Sequence, residues 1–464
     1  MGRKVEPSGD VELEEGVRMM PGDDKFKNIK NLVAERTGGK DDDAESDGKS
    51  DASSDKKIGP DSFDLLESTK DIMFTSTLNW LLLLIPVVFL AKALGLGDGT
   101  LFFLSLLPIC PLAERLGYVT EQMAAYTNPT IGGLLNATFG NMTEIIVSVF
   151  ALKRGLLRVV QLSLLGSILS NLLLVLGCAF FLGGTKYKTQ TFNKKGVSMN
   201  SALLLLAVIS LSVPSILHTT HTEMHGTDSE LALSRFTSVI LLGVYGTFLY
   251  FQLVTHRDLY EEEEDEDDDD DEEEVAQTWM GCLFWLTVIT VFISLLSDYL
   301  VDAIQGAAES IGMPVAFISV IILPIVGNAA EHASAVIFAM KNKMDIAIGV
   351  AIGSATQIAL LVIPLMIIMG WVVDQPLDLN LHVFETTTFI MTVITVSFVV
   401  QDGQSNWLKG MTLTLAYCIL AASFFFHKDN KLTDQNAVSW VDSASLNSAV
   451  AITNIQSGDV PPAS

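Results

Sequence analysis

Apolar residues gather into eleven long runs between residues 73 and 426. Most runs hold about 20 residues, which is the length that a helix needs to cross a bilayer. The pattern therefore predicts an all-α polytopic membrane protein with about eleven transmembrane helices. The approximate limits of these spans are 73–96, 100–117, 130–153, 157–183, 199–217, 233–254, 280–301, 314–340, 344–371, 382–400 and 406–426.

Polar stretches divide the chain into five predicted parts. The first 70 residues are rich in charged residues, Gly and Ser and show no apolar period, which is typical of a disordered tail. The parts are an N-terminal tail (1–70), a first transmembrane half (71–256), an acidic linker (257–279), a second transmembrane half (280–426) and a polar C-terminal tail (427–464).

The distribution of lysines predicts the orientation. Basic residues that follow an even-numbered span share a side with the N-terminus, and the positive-inside rule makes that side cytoplasmic. Lys153, Arg154 and Arg158, beside the third span, favour the opposite orientation. We expect a cytoplasmic N-terminus and linker. The lysines that carry this expectation are Lys186, Lys188, Lys194, Lys195, Lys341 and Lys343.

The formal net charge of −26 excludes some partners. Residues 261–274 are fourteen consecutive carboxylates, so neither nucleic acid nor an anionic lipid surface is an expected partner. This acidic run is either a solvated linker or a low-affinity Ca²⁺ accumulator. The four cysteines lie in apolar runs, so we expect neither a disulfide framework nor a cysteine zinc site, and no cofactor.

An internal repeat is the most informative feature of the sequence. Residues 131–171 align with residues 318–358 at a constant offset of 187. GNMTE at 140–144 falls on GNAAE at 327–331, and GSILS at 166–170 falls on GSATQ at 353–357. Five spans separate the copies, so they enter the membrane from opposite sides. Such inverted repeats are common in secondary transporters, whose substrate site lies between the repeats at interrupted helices.

Two glutamates occupy equivalent positions in the repeats, Glu144 and Glu331. A carboxylate in hydrocarbon costs about 2.5–3.5 kcal/mol on insertion scales. Both would be tolerated if they share a cation or protons. Asn141 and Asn328 each precede a glutamate by three residues, so each pair shares a helix face.

Oxygen ligands surround these positions and suit Ca²⁺, Mn²⁺ or Na⁺ rather than a soft metal. Gly140 and Gly327, with Pro324, supply the helix interruptions. The predicted metal-binding residues are Glu144, Glu331, Asn141, Asn328, Gly140, Gly327, Ser167, Ser170, Ser354 and Gln357.

The same carboxylates predict coupling to protons. Two like charges in a low-dielectric site disfavour each other's ionisation, so protons and a divalent cation compete for one charge pair. An empty, fully ionised site would be too costly to reorient, and exchange becomes obligatory. We predict that Glu144 and Glu331 carry the protons and that His332 tunes or shares this load.

These motifs resemble those of the Ca²⁺/H⁺ exchangers, the CAX group of the calcium/cation antiporter superfamily. The resemblance covers about residues 72–426. It rests on GNMTE, GNAAEH, GSILSN, GSATQ, the segment TEQMAAYTNPTIGGLLNATFGN at 120–141, and the acidic run. It implies an eleven-span fold, export of a divalent cation from the cytosol, and an acidic organelle such as a vacuole. It also implies that Glu144 and Glu331 are the shared carriers, with Asn141, Asn328, Ser170 and Gln357 nearby.

Our hypothesis is a secondary antiporter that exchanges cytosolic Ca²⁺ for H⁺, with Mn²⁺ as a second candidate cation. A Na⁺-driven cation/Ca²⁺ exchanger is the alternative within transport. A Ca²⁺-gated cation channel is the alternative from another class, although channels usually build filters as rings around an axis. No residue set suits an intramembrane enzyme. The sequence leaves open whether the protein is a homo-oligomer.

Overall fold

All eleven predicted apolar segments are helical in the computed structural model of the chain. The structure describes residues 64–74, 76–220, 227–257 and 276–427. The predicted N-terminal tail, the acidic run and the C-terminal tail lie almost entirely outside these residues. A first helix begins at Leu65, five residues before the predicted end of the N-terminal tail.

Fourteen helices are found among the described residues, and several break at positions that matter below. They are α1 (Leu65–Phe74), α2 (Leu84–Ala93), α3 (Asp98–Ala124), α4 (Pro129–Phe139), α5 (Met142–Lys153), α6 (Leu157–Lys186), α7 (Lys194–Thr220), α8 (Thr227–Tyr250), α9 (Trp279–Ile311), α10 (Val315–Gly327), α11 (Ala329–Met340), α12 (Met344–Val372), α13 (Val383–Val400) and α14 (Trp407–Phe426).

Short irregular pieces complete these elements. A 3₁₀ helix at Thr77–Leu83 leads into α2. π-helical turns lie within α6 at Ser170–Val175, within α10 at Ile318–Ile322 and within α12 at Ile358–Val362, and another follows α8. Strands β1 (Gln190–Thr191) and β2 (Gln404–Ser405) form an antiparallel ribbon that pairs Gln190 with Ser405.

Eight of the described helices are long and apolar enough to cross a membrane. Two bent pairs raise this number to ten: α1 with the Thr77–Ala93 helix, bent by 106°, and α10 with α11, bent by 56°. The remaining predicted span, 130–153, is divided between α4 and α5. Neither helix alone covers the roughly 30 Å of a bilayer core at 1.5 Å per residue. The count of eleven therefore stays a prediction.

The outer surface has the character of an integral membrane protein. Large apolar side chains are exposed on the outward faces of several long helices, including Ile209, Phe236, Phe398 and Ile419. In water such a continuous apolar surface would drive association. In a bilayer it meets lipid at little cost, because hydrocarbon chains are as apolar as the side chains.

Polar contacts join the loops into two groups. In the first group, Gln277 donates to Asp71 (2.6 Å), and Lys186 donates to the Met340 carbonyl (2.8 Å). The ribbon adds the loop between α13 and α14 to this group.

The second group lies at the other ends of the helices. Lys92 pairs with Asp302 (2.7 Å), and Gln161 donates to Asp378 (2.8 Å). Arg158 forms a buried ion pair with Glu385 (2.5 Å). Removing one partner of such a pair leaves an uncompensated buried charge, so this pair ties α6 firmly to α13.

Glycines let α6 approach its neighbours closely. A Cβ built on Gly184 would lie 2.2 Å from the Trp407 nitrogen of α14. A Cβ on Gly166 would lie 2.2 Å from the Val320 carbonyl oxygen of α10. Small residues at such crossings allow backbone contact, which drives helix association in lipid.

The repeat provides a matched test of this packing. Gly353 is the counterpart of Gly166, and a Cβ there meets nothing within 4 Å. We expect Gly166→Ala to force α6 and α10 apart and to destabilise the protein by about 1–3 kcal/mol, the usual cost of overpacking. Gly353→Ala should change stability little. The midpoint of thermal unfolding in one detergent measures both, and equal midpoints for the two variants would contradict the packing described here.

Candidate functional site

The candidate site lies at two helix breaks, which occupy equivalent positions in the two repeats. Asn141 separates α4 from α5, with φ −105° and ψ 20°; Asn328 separates α10 from α11, with φ −100° and ψ 16°. These near-identical conformations lie outside the ordinary helical region. Each break exposes the start of a new helix inside the membrane. The sequence offset of 187 is thus matched by the same local backbone geometry.

Both glutamates lie in the first turn of the helix that follows each break. Glu144 is the third residue of α5, and Glu331 is the third residue of α11. The N-terminal end of a helix carries partial positive charge, so it stabilises a carboxylate in its first turn. This placement reduces the cost of holding an ionised glutamate in the membrane interior.

Side chains at the breaks reach across to the other repeat. The Asn328 amide donates to Ser167 Oγ (2.5 Å), and Ser354 Oγ donates to Asn141 Oδ1 (3.4 Å). Ser167 and Ser354 are equivalent residues, so each asparagine contacts the serine of the opposite copy. Such reciprocal contacts are what a two-fold relation between two copies produces.

Further contacts extend this network. The Asn141 amide donates to Gln357 Oε1 (2.6 Å), and the Asn171 amide donates to Ser354 Oγ (2.9 Å). The Ser354 hydroxyl and the Asn171 side chain also lie against the Glu331 carboxylate, whose charge is close enough to interact with that of Glu144. The two carboxylates therefore belong to one polar centre.

Several oxygens of this centre lack a donor. Among the described residues, Asn171 Oδ1, Asn328 Oδ1 and Glu331 Oε2 are buried without a hydrogen-bond partner. An unsatisfied buried acceptor normally indicates a bound water or ion. These atoms are amide and carboxylate oxygens, which are ligands that Ca²⁺ prefers. The donor set therefore fits a divalent cation as cargo.

Glu144 also faces a small cavity of about 40 Å³ between α3, α5, α6, α9 and α10. Gly327, Asn328 and Ser167 line this cavity together with Glu144. Three further hydroxyl groups in its wall were not among the residues predicted from the sequence. They belong to Thr143, Ser148 and Ser163.

The structure does not bring every predicted residue to the centre. The Ser170 hydroxyl donates to the Ser167 carbonyl within its own helix (3.1 Å). Gly140 is an exposed residue at the end of α4. His332 Nε2 is buried without a hydrogen-bond partner among the described residues, so no hydrogen bond from it reaches either glutamate. The roles predicted for these three residues stay predictions.

Asn171 is the main residue that the sequence analysis missed. At an offset of 187 it falls on Ile358, so the repeat provided no signal for it. It follows Ser170 at the start of the π turn in α6. A π turn inserts an extra residue into a helix, and such turns occur frequently at functional sites. An equivalent π turn follows Gln357 in α12, so both copies have this irregularity beside the centre.

Comparison with known proteins agrees with this architecture. The family model described as sodium/calcium exchanger protein matches residues 99–254 and 282–426, on either side of the acidic run.

Named relatives extend the match. Vacuolar cation/proton exchanger 2 of Oryza sativa subsp. japonica is 54% identical over 372 residues, covering 78% of this chain and 85% of that protein. Vacuolar cation/proton exchanger 2 of Arabidopsis thaliana is 52% identical over 372 residues, covering 79% and 84%.

A solved structure of the selenium-substituted Ca²⁺/H⁺ antiporter protein YfkE shares the fold. It has a TM-score of 0.63 and 36% identity, and the match covers 75% of this chain and 98% of that one. The family match lies on both sides of the acidic run, and the relatives match most of the chain. Both findings, together with the common fold, agree with the family that the paired motifs indicate. The chain belongs to the sodium/calcium exchanger family, in its group of cation/proton exchangers.

Proposed function

We propose that this protein is a secondary antiporter that exchanges cytosolic Ca²⁺ for H⁺ at the membrane of a vacuole. The observation that carries the proposal is the polar centre, where Glu144 and Glu331 lie in the first turns of two helices that begin inside the membrane. The relatives named above, which are vacuolar cation/proton exchangers, support the substrate class and the compartment.

Charge neutralisation explains the exchange. One Ca²⁺ balances the two carboxylates, and two protons neutralise the same groups. An empty site with two ionised carboxylates is costly in the membrane interior, by about 2.5–3.5 kcal/mol for each charge on insertion scales. The site therefore reorients only when it is loaded with the cation or with protons.

The grouping of loops supports a topology of eleven spans with an inverted repeat. The segments of the first loop group precede odd-numbered spans or follow even-numbered ones. Asp71 and Gln277, for example, precede the first and the seventh predicted span and contact each other. The second group joins the opposite ends, including Arg158 with Glu385. With the N-terminus in the cytosol, as the lysine distribution favours, the first group is cytosolic and the second is luminal.

Packing differs between the two halves of the centre, as alternating access requires. On the luminal side α10 packs closely on α6 at Gly166, so this half is closed. The equivalent helix on the cytosolic side, α4, makes no comparable contact with α12, and Gly353 has no neighbour at its Cβ position. If the two repeats exchanged their packing, the site would become open to the lumen and closed to the cytosol. This packing supports a state whose site faces the cytosol.

The two glutamates provide the first test. Sealed vesicles with an acid interior should take up Ca²⁺ through the wild-type protein. Glu144→Gln and Glu331→Gln should each lower this uptake about a hundredfold or more, because an amide neither carries the proton nor balances the cation. Glu309→Gln, which changes an exposed carboxylate on α9, is the matched control and should transport normally. Uptake without a pH gradient, or uptake that survives both core substitutions, would overturn the proposal.

The reciprocal hydrogen bonds provide the second test. Asn328→Ala and Ser167→Ala should each raise the Ca²⁺ concentration for half-maximal uptake by about three- to tenfold, the worth of one hydrogen bond. The double variant should lose less than the product of the two effects, because both substitutions remove one contact. Asn141→Ala with Ser354→Ala should behave in the same way.

The control pair is Asn328→Ala with Ser354→Ala, whose side chains are not hydrogen-bonded to each other in the described part of the chain. The coupling between these two substitutions should be smaller than that within each contacting pair. Equal coupling in contacting and control pairs would show that the measured coupling does not report these hydrogen bonds.

A further inference from the structure

Hydroxyl groups are distributed asymmetrically around the two glutamates. The cavity beside Glu144 has Thr143, Ser148 and Ser163 in its wall. At an offset of 187 these residues fall on Ala330, Ala335 and Val350, which carry no polar side-chain atom. A polar lining therefore exists beside Glu144 and is lost at the equivalent positions beside Glu331.

Helix directions show where this lining leads. α5 runs from Glu144 towards the turn at residues 154–156, so Ser148 lies about 6 Å beyond Glu144 in that direction. α6 returns from the same turn, so Ser163 lies about 6 Å before Ser167. The lined cavity thus extends from the polar centre towards the loop group that contains Arg154 and Arg158, on the side where α6 and α10 pack closely.

The chemistry of the wall separates protons from Ca²⁺. Glu144 is the only ionisable side chain that lines the cavity; the other polar groups are hydroxyls and the Asn328 amide. Each hydroxyl both donates and accepts a hydrogen bond, so a row of hydroxyls and water can pass a proton. A dehydrated Ca²⁺ needs six to eight oxygen ligands, usually with several carboxylates. The wall suits proton transfer and provides too little charge for the cation.

Burial supports this assignment. Thr143 is 5% and Ser148 is 1% exposed, and no hydrogen bond of either side chain is found among the described residues. The Ser163 hydroxyl donates to the Val160 carbonyl of its own helix (3.2 Å) and can still accept a hydrogen bond from water. A buried hydroxyl without a partner costs free energy unless water fills the gap. The cavity provides room for that water, and polar cavities of this kind are normally hydrated.

We propose that the hydroxyls of Thr143, Ser148 and Ser163 form the luminal proton route to Glu144. This inference rests on the proposed Ca²⁺/H⁺ exchange and adds a distinction between the two glutamates. When the site faces the lumen, a proton moves from luminal water along these hydroxyls and their water to the Glu144 carboxylate, which becomes neutral as Ca²⁺ leaves. Beside Glu331 the three equivalent positions hold Ala330, Ala335 and Val350, which carry no hydroxyl.

The repeat itself provides the test variant. The test variant is the full-length protein with three substitutions: Thr143→Ala, Ser148→Ala and Ser163→Val. These substitutions introduce the residue types found at the equivalent positions of the second copy. Two activities are measured in the same vesicles. One is Ca²⁺ uptake driven by an acid interior. The other is exchange of isotopically labelled Ca²⁺ for unlabelled Ca²⁺ at equal pH on both sides, which needs a folded and mobile site but no proton transfer.

We expect proton-driven uptake to fall about tenfold or more, within the range that a positioned proton-transfer group contributes. Ca²⁺/Ca²⁺ exchange should stay within about twofold, a difference too small to indicate a lost interaction. Ser238→Ala, which removes a buried hydroxyl on α8, should leave both activities unchanged.

The remaining outcomes overturn the inference. An equal loss of both activities would assign the hydroxyls to cation binding or to folding, and an unchanged proton-driven uptake would remove the proton route. Failure of the proposed function is recognised separately, because the wild-type protein would then show no uptake that depends on the pH gradient.

Discussion

Two carboxylates in the interior of a membrane are the constraint on which the rest of this structure depends. Each costs free energy unless the protein compensates its charge. The chain does so by breaking two helices so that Glu144 and Glu331 lie in the first turns of new helices. Helix breaks expose backbone groups to hydrocarbon, which is tolerated only where protein surrounds them. The residues at the two breaks, Asn141 and Asn328, are accordingly buried.

The surrounding packing holds this centre together. Asn141 and Asn328 each contact the opposite repeat, so the two breaks depend on each other for hydrogen bonds. Close contact at Gly166 brings α6 against α10 on one side of the centre. The matching position on the other side, Gly353, stays open. The two copies are thus packed differently although their central side chains correspond.

Symmetry also makes the differences between the repeats informative. Most polar groups of the centre have polar counterparts at an offset of 187. Thr143, Ser148 and Ser163 have none, and neither does Asn171. A route for protons needs only hydroxyls and water, whereas Ca²⁺ needs many oxygen ligands.

The sequence by itself determined the helical membrane architecture, the family and the paired glutamates. These features depend on the length of each apolar run and on the spacing of the polar residues within it. Both can be read directly from the sequence, without a structure. Helical structure in all eleven segments and the breaks beside Gly140 and Gly327 follow from such signals.

Only the tertiary structure decided which oxygens meet. Ser170 matched the repeat pattern, yet its hydroxyl is used within its own helix, whereas Asn171 lacked a counterpart and lies against Glu331. The physical reason is that a side chain's direction depends on helix rotation and on the neighbours that pack against it. The π turn after Leu169 changes that rotation without a sequence signal. The asymmetry between Gly166 and Gly353 likewise arises from packing between distant segments, which neither local pattern nor internal symmetry specifies.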